Sequence, residues 1–292
     1  MQQQIDGLWD WDDPAGSEAR FRDAAESAAS AHDRAILLTQ LARALALQGR
    51  GPEALDILDA LAEDDAELEA RIALERGRVL NSSGDPNAAR PQFERALAIA
   101  EAGDREHLAV DALHMLAIVA PPAEQVALNE RAIAMAEAAS DPRARQWLAS
   151  LHNNLGWTRF EAGNHEEALR LFELALAERR ARGEPRETGV AQWAVARALR
   201  ALGRTDEALQ AQRQLADDYA ALGVDDPYVD EELGECLLGL GREAEARPHF
   251  AKAAAGLAAD AWLVEHEPAR IARLRDLAAS QPDGQAAPGG PR

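Results

Sequence analysis

A few side chains in this 292-residue chain stand where chemistry would begin. His165-Glu166-Glu167 opens like a zinc-hydrolase motif, which needs a second histidine one helical turn on to face the same metal. Position 169 is Leu, so that ligand is missing. His107 and His114 share a helical face two turns apart, but two imidazoles alone do not hold zinc, and structural or surface roles are the simpler expectation. Cys236 is the only cysteine, so no intramolecular disulfide can form. It is expected to be a small packing residue rather than a reactive thiol. The acidic pairs Asp64-Asp65, Asp217-Asp218 and Asp225-Asp226 read as helix ends and N-caps rather than as catalytic carboxylates. There is no GxxxxGK[ST] and no GxGxxG. Catalysis, metal and cofactor are all expected to be absent.

Charge narrows the partners. Against 31 Lys+Arg stand 51 Asp+Glu, a formal net charge of −20. Phosphate backbones and anionic membranes repel such a chain, so neither nucleic acid nor membrane is an expected partner. The start of the chain has no basic stretch leading into an apolar one, and no uninterrupted apolar run is long enough to span a bilayer. A cytoplasmic setting is the simplest expectation. Apolar residues make up 47% of the chain but aromatics only 4%, so the core is built from Ala and Leu. That favours closely spaced helices and argues against sheets.

The elements that position these residues recur. A glycine, four residues and an alanine appear at Gly49–Ala54, Gly84–Ala89, Gly163–Ala168, Gly203–Ala208 and Gly241–Ala246. The glycine sits where a helix must stop in the left-handed conformation, and the next residues suit a new helix start. Seven residues before each glycine is a small residue: Ala42, Gly77, Gly156, Ala196 and Gly234. Nine residues after it come Leu58, Phe93, Phe172 and Phe250, in four of the five copies. Small residues mark a close helix crossing, and the large ones fill the space beside it.

This pattern, clearest in Leu151–Ala177, resembles the tetratricopeptide repeat. The resemblance covers residues 33 to about 258 and implies an all-α fold, a right-handed α-α superhelical solenoid of about six tetratricopeptide-like helix pairs. A sixth, irregular repeat is expected at about residues 105–140, where Pro121-Pro122 ends the first helix early. Residues 1–32 are expected to hold an N-terminal segment and a capping helix from Asp13-Pro14 to about Ser30. Residues 259–279 should hold a polar-faced capping helix from Glu267-Pro268, and 280–292 a disordered tail.

In this family the first helix of each pair lines a concave binding face. Carried over position by position, the resemblance implies a face containing Arg43, Arg71, Arg78, His114, Asn153, Asn154, Trp157, Trp193, Arg197 and Arg200, with Glu75, Glu231, Glu232 and Glu235 among them. Asn153 and Asn154 stand where family members grip a peptide backbone, though packing or helix-end bonding would also explain them. Trp157 and Trp193 are either ligand anchors or core between repeats. The arginines would make the face locally basic, suited to a protein or peptide with acidic groups. The family's clamp for chaperone C-termini is incomplete, with Val190 and Ala194 at its basic positions. Trp9 and Trp11 either fold back over the end of the array or form a docking peptide for a partner or a second copy. The leading expectation is a non-enzymatic module that binds a peptide or protein. The alternative is a sensor that binds a signalling peptide and controls a separate effector. An enzyme or an RNA-binding repeat is the remotest reading.

Overall fold

The computed structural model describes residues 1–62 and 65–279, and among these there is helix but no strand. The expected tail at 280–292, and Asp64 of the first acidic pair, lie outside the described residues. The chain forms two compact units, Met1–Leu155 and a second beginning at Gly156.

In the first unit, α1 (Gln2–Leu8) and α2 (Pro14–Glu26) precede three helix pairs. These are α3 (Ala31–Leu47) with α4 (Gly51–Asp59), α5 (Ala66–Ser82) with α6 (Pro86–Ala102), and α7 (Glu106–Val119) with α8 (Pro122–Ala138). A one-turn α9 (Pro142–Arg145) leads into α10 (Leu148–Glu161), which runs on into the second unit. There α10 is followed by α11 (His165–Arg182). The pairs α12 (Pro185–Ala201) with α13 (Thr205–Leu222) and α14 (Pro227–Gly239) with α15 (Glu243–Leu257) come next, and α16 (Ala261–His266) and α17 (Pro268–Ala279) close the described chain. First helices lie side by side: α3 packs on α5 and α5 on α7 in the first unit, and α12 packs on α14 in the second.

The local chemistry explains the punctuation. Gly163 has φ +79°, a left-handed stop that a side chain would strain. The corner between α7 and α8 has no such glycine and is built differently. Ala120 and Pro121 are extended (φ −76° and −62°), because a residue before proline is pushed out of the helical region. The helix expected to run from Asp13 to Ser30 stops at Glu26. Ser27 Oγ donates to the Asp23 carbonyl at 2.9 Å, and the Ser30 hydroxyl accepts from Asp33 N at 3.0 Å as the cap of α3. Two serine hydroxyls thus divide one expected helix from the next. α16 was not foreseen; Asp260 caps it by accepting from Trp262 N at 2.8 Å.

Close contacts inside the helix pairs key the cores. Phe93, Phe172 and Phe250 are completely buried or within 1% of it. Each lies flat against a glycine sixteen residues earlier. A Cβ on Gly156 would fall 2.5 Å from Phe172 Cε1, and one on Gly234 2.7 Å from Phe250; Gly77 faces Phe93 in the same way. Where the small residue is Ala42, the partner is the smaller Leu58. Where it is Ala196, the partner is Gln212, fully buried and with neither amide atom hydrogen-bonded among the described residues.

Candidate functional site

In the first unit the side-by-side packing of α3, α5 and α7 aligns opposite charges about one repeat apart. Arg78 on α5 donates to Glu75 Oε1 at 2.5 Å and, across to α7, to Asp111. Arg43 on α3 stands 4.0 Å from the same Glu75 oxygen. Glu75 and Asp111 are 3% and 9% exposed, so these charges are held away from water and depend on one another. Burial alone would raise the Asp111 carboxyl, but Arg78 and Arg43 outweigh it and hold it below the usual carboxylate range. Arg43 also lies over the Trp11 ring at 4.8 Å and the Trp9 ring at 5.8 Å. Those two indoles stack at 4.2 Å, and Trp9 Nε1 donates to Gln40 Oε1 at 3.1 Å. The Trp9–Trp11 segment therefore folds back onto α3, with Trp11 still 56% exposed.

Further along the unit, Asn153 and Asn154 are half-buried on α10. Asn154 Nδ2 faces His114 Nδ1 at 3.4 Å, and the His114 ring lies 4.8 Å from that of Trp147. Burial, with Arg78 and Arg43 nearby, pushes the His114 imidazole down to about 4 despite Asp111, so it is neutral at pH 7. Arg71 is placed apart from this row. It is bonded to Glu67 on its own helix at 3.0 Å and belongs to a second, partly buried cluster with His107, Asp141 and Arg143. His107 Nδ1 lies 3.3 Å from Asp141 Oδ2. The two histidines of α7 thus have separate neighbourhoods.

In the second unit, α12 and the end of α10 bring together an aromatic and cationic cluster. Trp157 and Trp193 are half-buried, their rings 5.8 Å apart, with Phe160 and Phe172 against Trp157 at 5.4 and 4.9 Å. Each of these tryptophans packs against the core and keeps part of its surface exposed. Trp193 Nε1 donates to the Tyr228 carbonyl at 3.1 Å, which fixes the indole. The Arg197 guanidinium sits 5.0 Å above Trp193 and 5.8 Å from both Trp157 and Phe160. Arg200 is differently employed, holding Glu232 through Nε at 2.5 Å and Nη2 at 3.0 Å. Beside Trp193, a cavity of about 210 Å³ opens between α12, α13 and α14, with Val190 at its mouth and Tyr219 and Tyr228 in its walls.

The expected locally basic face is corrected by these pairings. Arg71, Arg78 and Arg200 are spent on buried or half-buried carboxylates. The glutamates of the last repeat are answered by α17, where Arg270 binds Glu231 at 2.5 Å and Arg273 binds Glu235. The residue missed by sequence reasoning is Asp111. Its signal was its spacing from Arg78, close to one repeat, which recurs in Arg43 with Glu75 and Arg200 with Glu232. Cys236 is buried, and burial first, then Glu232, pushes its thiol up to about 12. Among the described residues no three of His, Cys, Asp and Glu cluster as metal ligands, and no helix is long and apolar enough to cross a membrane.

Two tetratricopeptide-repeat family models match the chain, at residues 147–221 and 35–60. No characterised protein matches it by sequence. Among solved structures, a tetratricopeptide repeat protein from Parabacteroides merdae is 17% identical, with 96% of this chain and 98% of that one covered and a TM-score of 0.53. A signal transduction ATPase with a tetratricopeptide repeat sensor, from Pyrococcus horikoshii, has a TM-score of 0.69 at 12% identity. That match covers 91% of this chain but only 44% of the larger protein. A Rap protein in complex with competence and sporulation factor has a TM-score of 0.56 at 16% identity, covering 89% and 79%. At these identities the structures speak for the fold alone. With the matched repeat models and the glycine-cornered helix pairs, they place this chain in the tetratricopeptide-repeat superfamily.

Proposed function

We propose that the protein is a non-enzymatic interaction module whose first helices bind a peptide or protein segment. The observation that carries this reading is the half-open cluster of Trp157, Trp193 and Arg197. Its rings are fixed by the core and by the Trp193–Tyr228 bond, so binding would cost little ordering. Large aromatics and arginine are the side chains that dominate binding energies. Asn153 and Asn154 offer amides suited to a peptide backbone, and Arg43 offers a second cation. The charge of −20 favours a protein partner over nucleic acid or a membrane, and a cytoplasmic setting fits a chain whose single thiol is buried. Site-directed photo-crosslinking tests the reading. A benzoylphenylalanine replacing exposed Val190 on α12 should give a partner adduct in native extract, and one replacing Arg170 on α11 should not. Equal adducts from both positions, or none from Val190, would refute it.

A second reading is a sensor that binds a signalling peptide and controls a separate effector. It draws support from two of the similar folds, the Rap protein bound to its factor and the ATPase sensor. Small-angle scattering separates the two readings, because a sensor compacts on binding its ligand and a static scaffold does not.

A further inference from the structure

At α3 the first-helix face of the first unit carries the chain's own N-terminal segment. Ile5 is 2% exposed and belongs to the same apolar core as Phe21 of α2 and Ile36 of α3. The Leu8 carbonyl accepts from Arg20 Nε at 2.8 Å, and the Asp10 amide and carbonyl both meet the buried Ser17 hydroxyl at 2.9 Å. Trp9 meets the Phe21 ring edge-on at 5.0 Å and donates to Gln40, and with Trp11 it lies against Arg43. The Arg143 guanidinium of α9 is raised above its ordinary value by its bonds to Asp141 first, and by Glu67 and Asp6 as well, so the α1 end of the segment also faces a cation. Residues 1–13 contain four aspartates and no Lys or Arg. Charge therefore seats the segment together with apolar packing.

The seat is sparse. Of the described side chains of α1 only Ile5 is buried; Gln3, Gln4 and Asp6 are exposed and Leu8 is half-buried. Seven residues are too few to stay helical alone, and among the described residues no side chain caps the start of α1. The next helix has its own supports. Asp13 caps α2 by accepting from Gly16 N at 2.9 Å, and Phe21 and Ala25 are buried in the core. Between the two helices, residues 10–13 form an exposed turn in which Asp10 Oδ1 accepts from Asp12 N at 3.1 Å. A segment held by a few anchors on one side of an exposed turn opens locally, and its opening leaves the helix pairs standing.

We propose that residues 1–11 are a detachable strap, the resident occupant of the first unit at α3, and that a partner reaches Gln40 and Arg43 only by displacing it. The strap's release stands on the contacts around Ile5 and Trp9; what enters afterwards rests on the reading of the first-helix face as a binding surface. A synthetic peptide of residues 1–12, amidated and labelled with fluorescein at its C-terminal end, is titrated in fluorescence anisotropy against the full native chain and its Ile5→Asp variant. A buried aspartate lifts the strap and frees the seat, so the peptide should bind the variant at least about 10-fold more tightly than the native chain, where the resident strap competes at high effective concentration. The same peptide carrying Trp9→Ala should lose about 10-fold or more on the variant. Hydrogen exchange on the native chain keeps the test valid if Ile5→Asp fails to fold. Amides of residues 3–9 should exchange at least about 10-fold faster than those of α3, with α2 and α3 keeping their protection. Equal affinities for the two chains, no binding to a folded variant, or exchange of residues 3–9 in step with α3 overturns the strap. Each of these leaves the broader reading standing, because the adduct at Val190 decides that.

Discussion

Replacing Arg78 with Met tests whether the charges between α5 and α7 hold the first unit together. The substitution keeps most of the side-chain volume and removes the cation. It strands Asp111, 9% exposed, and leaves Glu75, 3% exposed, with only Arg43 at 4.0 Å. Breaking a buried pair on one side costs about 3–5 kcal/mol. Because Arg43 still serves Glu75, the expected loss is near the lower bound, about 3 kcal/mol at pH 7. The pH dependence gives a second handle. In the native chain the Asp111 carboxyl is held below its ordinary value, so its contribution is complete near neutrality and lost only as pH falls through that lowered value. In the variant, burial acts with less opposition and raises the carboxyl, so protonation relieves the penalty. The gap between the two proteins should therefore narrow from pH 7 to pH 4.5. Urea denaturation followed by circular dichroism measures the gap, and hydrogen exchange should place the loss in α5 and α7. Adding Glu75→Met and Asp111→Leu should recover most of the stability, since an apolar replacement of a whole buried network is often neutral or better. A loss below about 1 kcal/mol for Arg78→Met, or a gap that widens in acid, would refute the reasoning.

Three further outcomes follow from the same geometry. Gly77→Ala should destabilise by about 1–2 kcal/mol despite alanine's better helix propensity, because its Cβ meets the Phe93 ring; adding Phe93→Leu should recover part of the loss by recreating the Ala42–Leu58 combination. Gln212→Leu should stabilise by about 1–2 kcal/mol in thermal melts, since a buried amide with no hydrogen-bond partner among the described residues is replaced by the residue type found at the equivalent Leu58; a lower melting temperature would show that the amide is satisfied. His107 is pushed down to about 4, first by burial and then by Arg143 and Arg71 against Asp141 and Glu67. Its folded value is below its unfolded one, so its contribution is complete above about pH 6.5 and falls as pH drops toward 4, by at most about 1.4 kcal/mol per pH unit. His107→Gln should flatten that slope in urea midpoints measured between pH 7 and 4.5, and an unchanged slope would place the proton elsewhere.

Much of the fold could be read in the sequence because its punctuation is chemically forced. A left-handed stop such as Gly49 or Gly163 admits few other residues, and a flat ring such as Phe172 needs a bare backbone at Gly156 sixteen residues earlier. The first-helix faces could be listed, but not the state of their charges. That Arg78 donates to Asp111 while Arg43 only stands 4.0 Å from Glu75 depends on the register between neighbouring helices, which no single helix encodes. Arg71 could not be separated from Arg43 and Arg78 for a related reason. Its place is decided by where α9 brings Asp141 and Arg143, and α9 is a single turn after an irregular repeat. The cavity beside Trp193 was illegible because three helices share it, and its depth depends on how Tyr219 settles against Gly189.

The glycine–phenylalanine contacts lie within helix pairs, whereas Arg78–Asp111, Arg200–Glu232 and Arg90–Glu124 join one pair to the next. Dispersion is indifferent to ionic strength, an exposed pair such as Arg90–Glu124 is screened by salt, and a buried one such as Arg78–Asp111 is screened much less. The apolar cores also run from one helix pair to the next. Electrolyte therefore acts on the exposed margin of each unit, while its core and its buried charges set the compliance that remains.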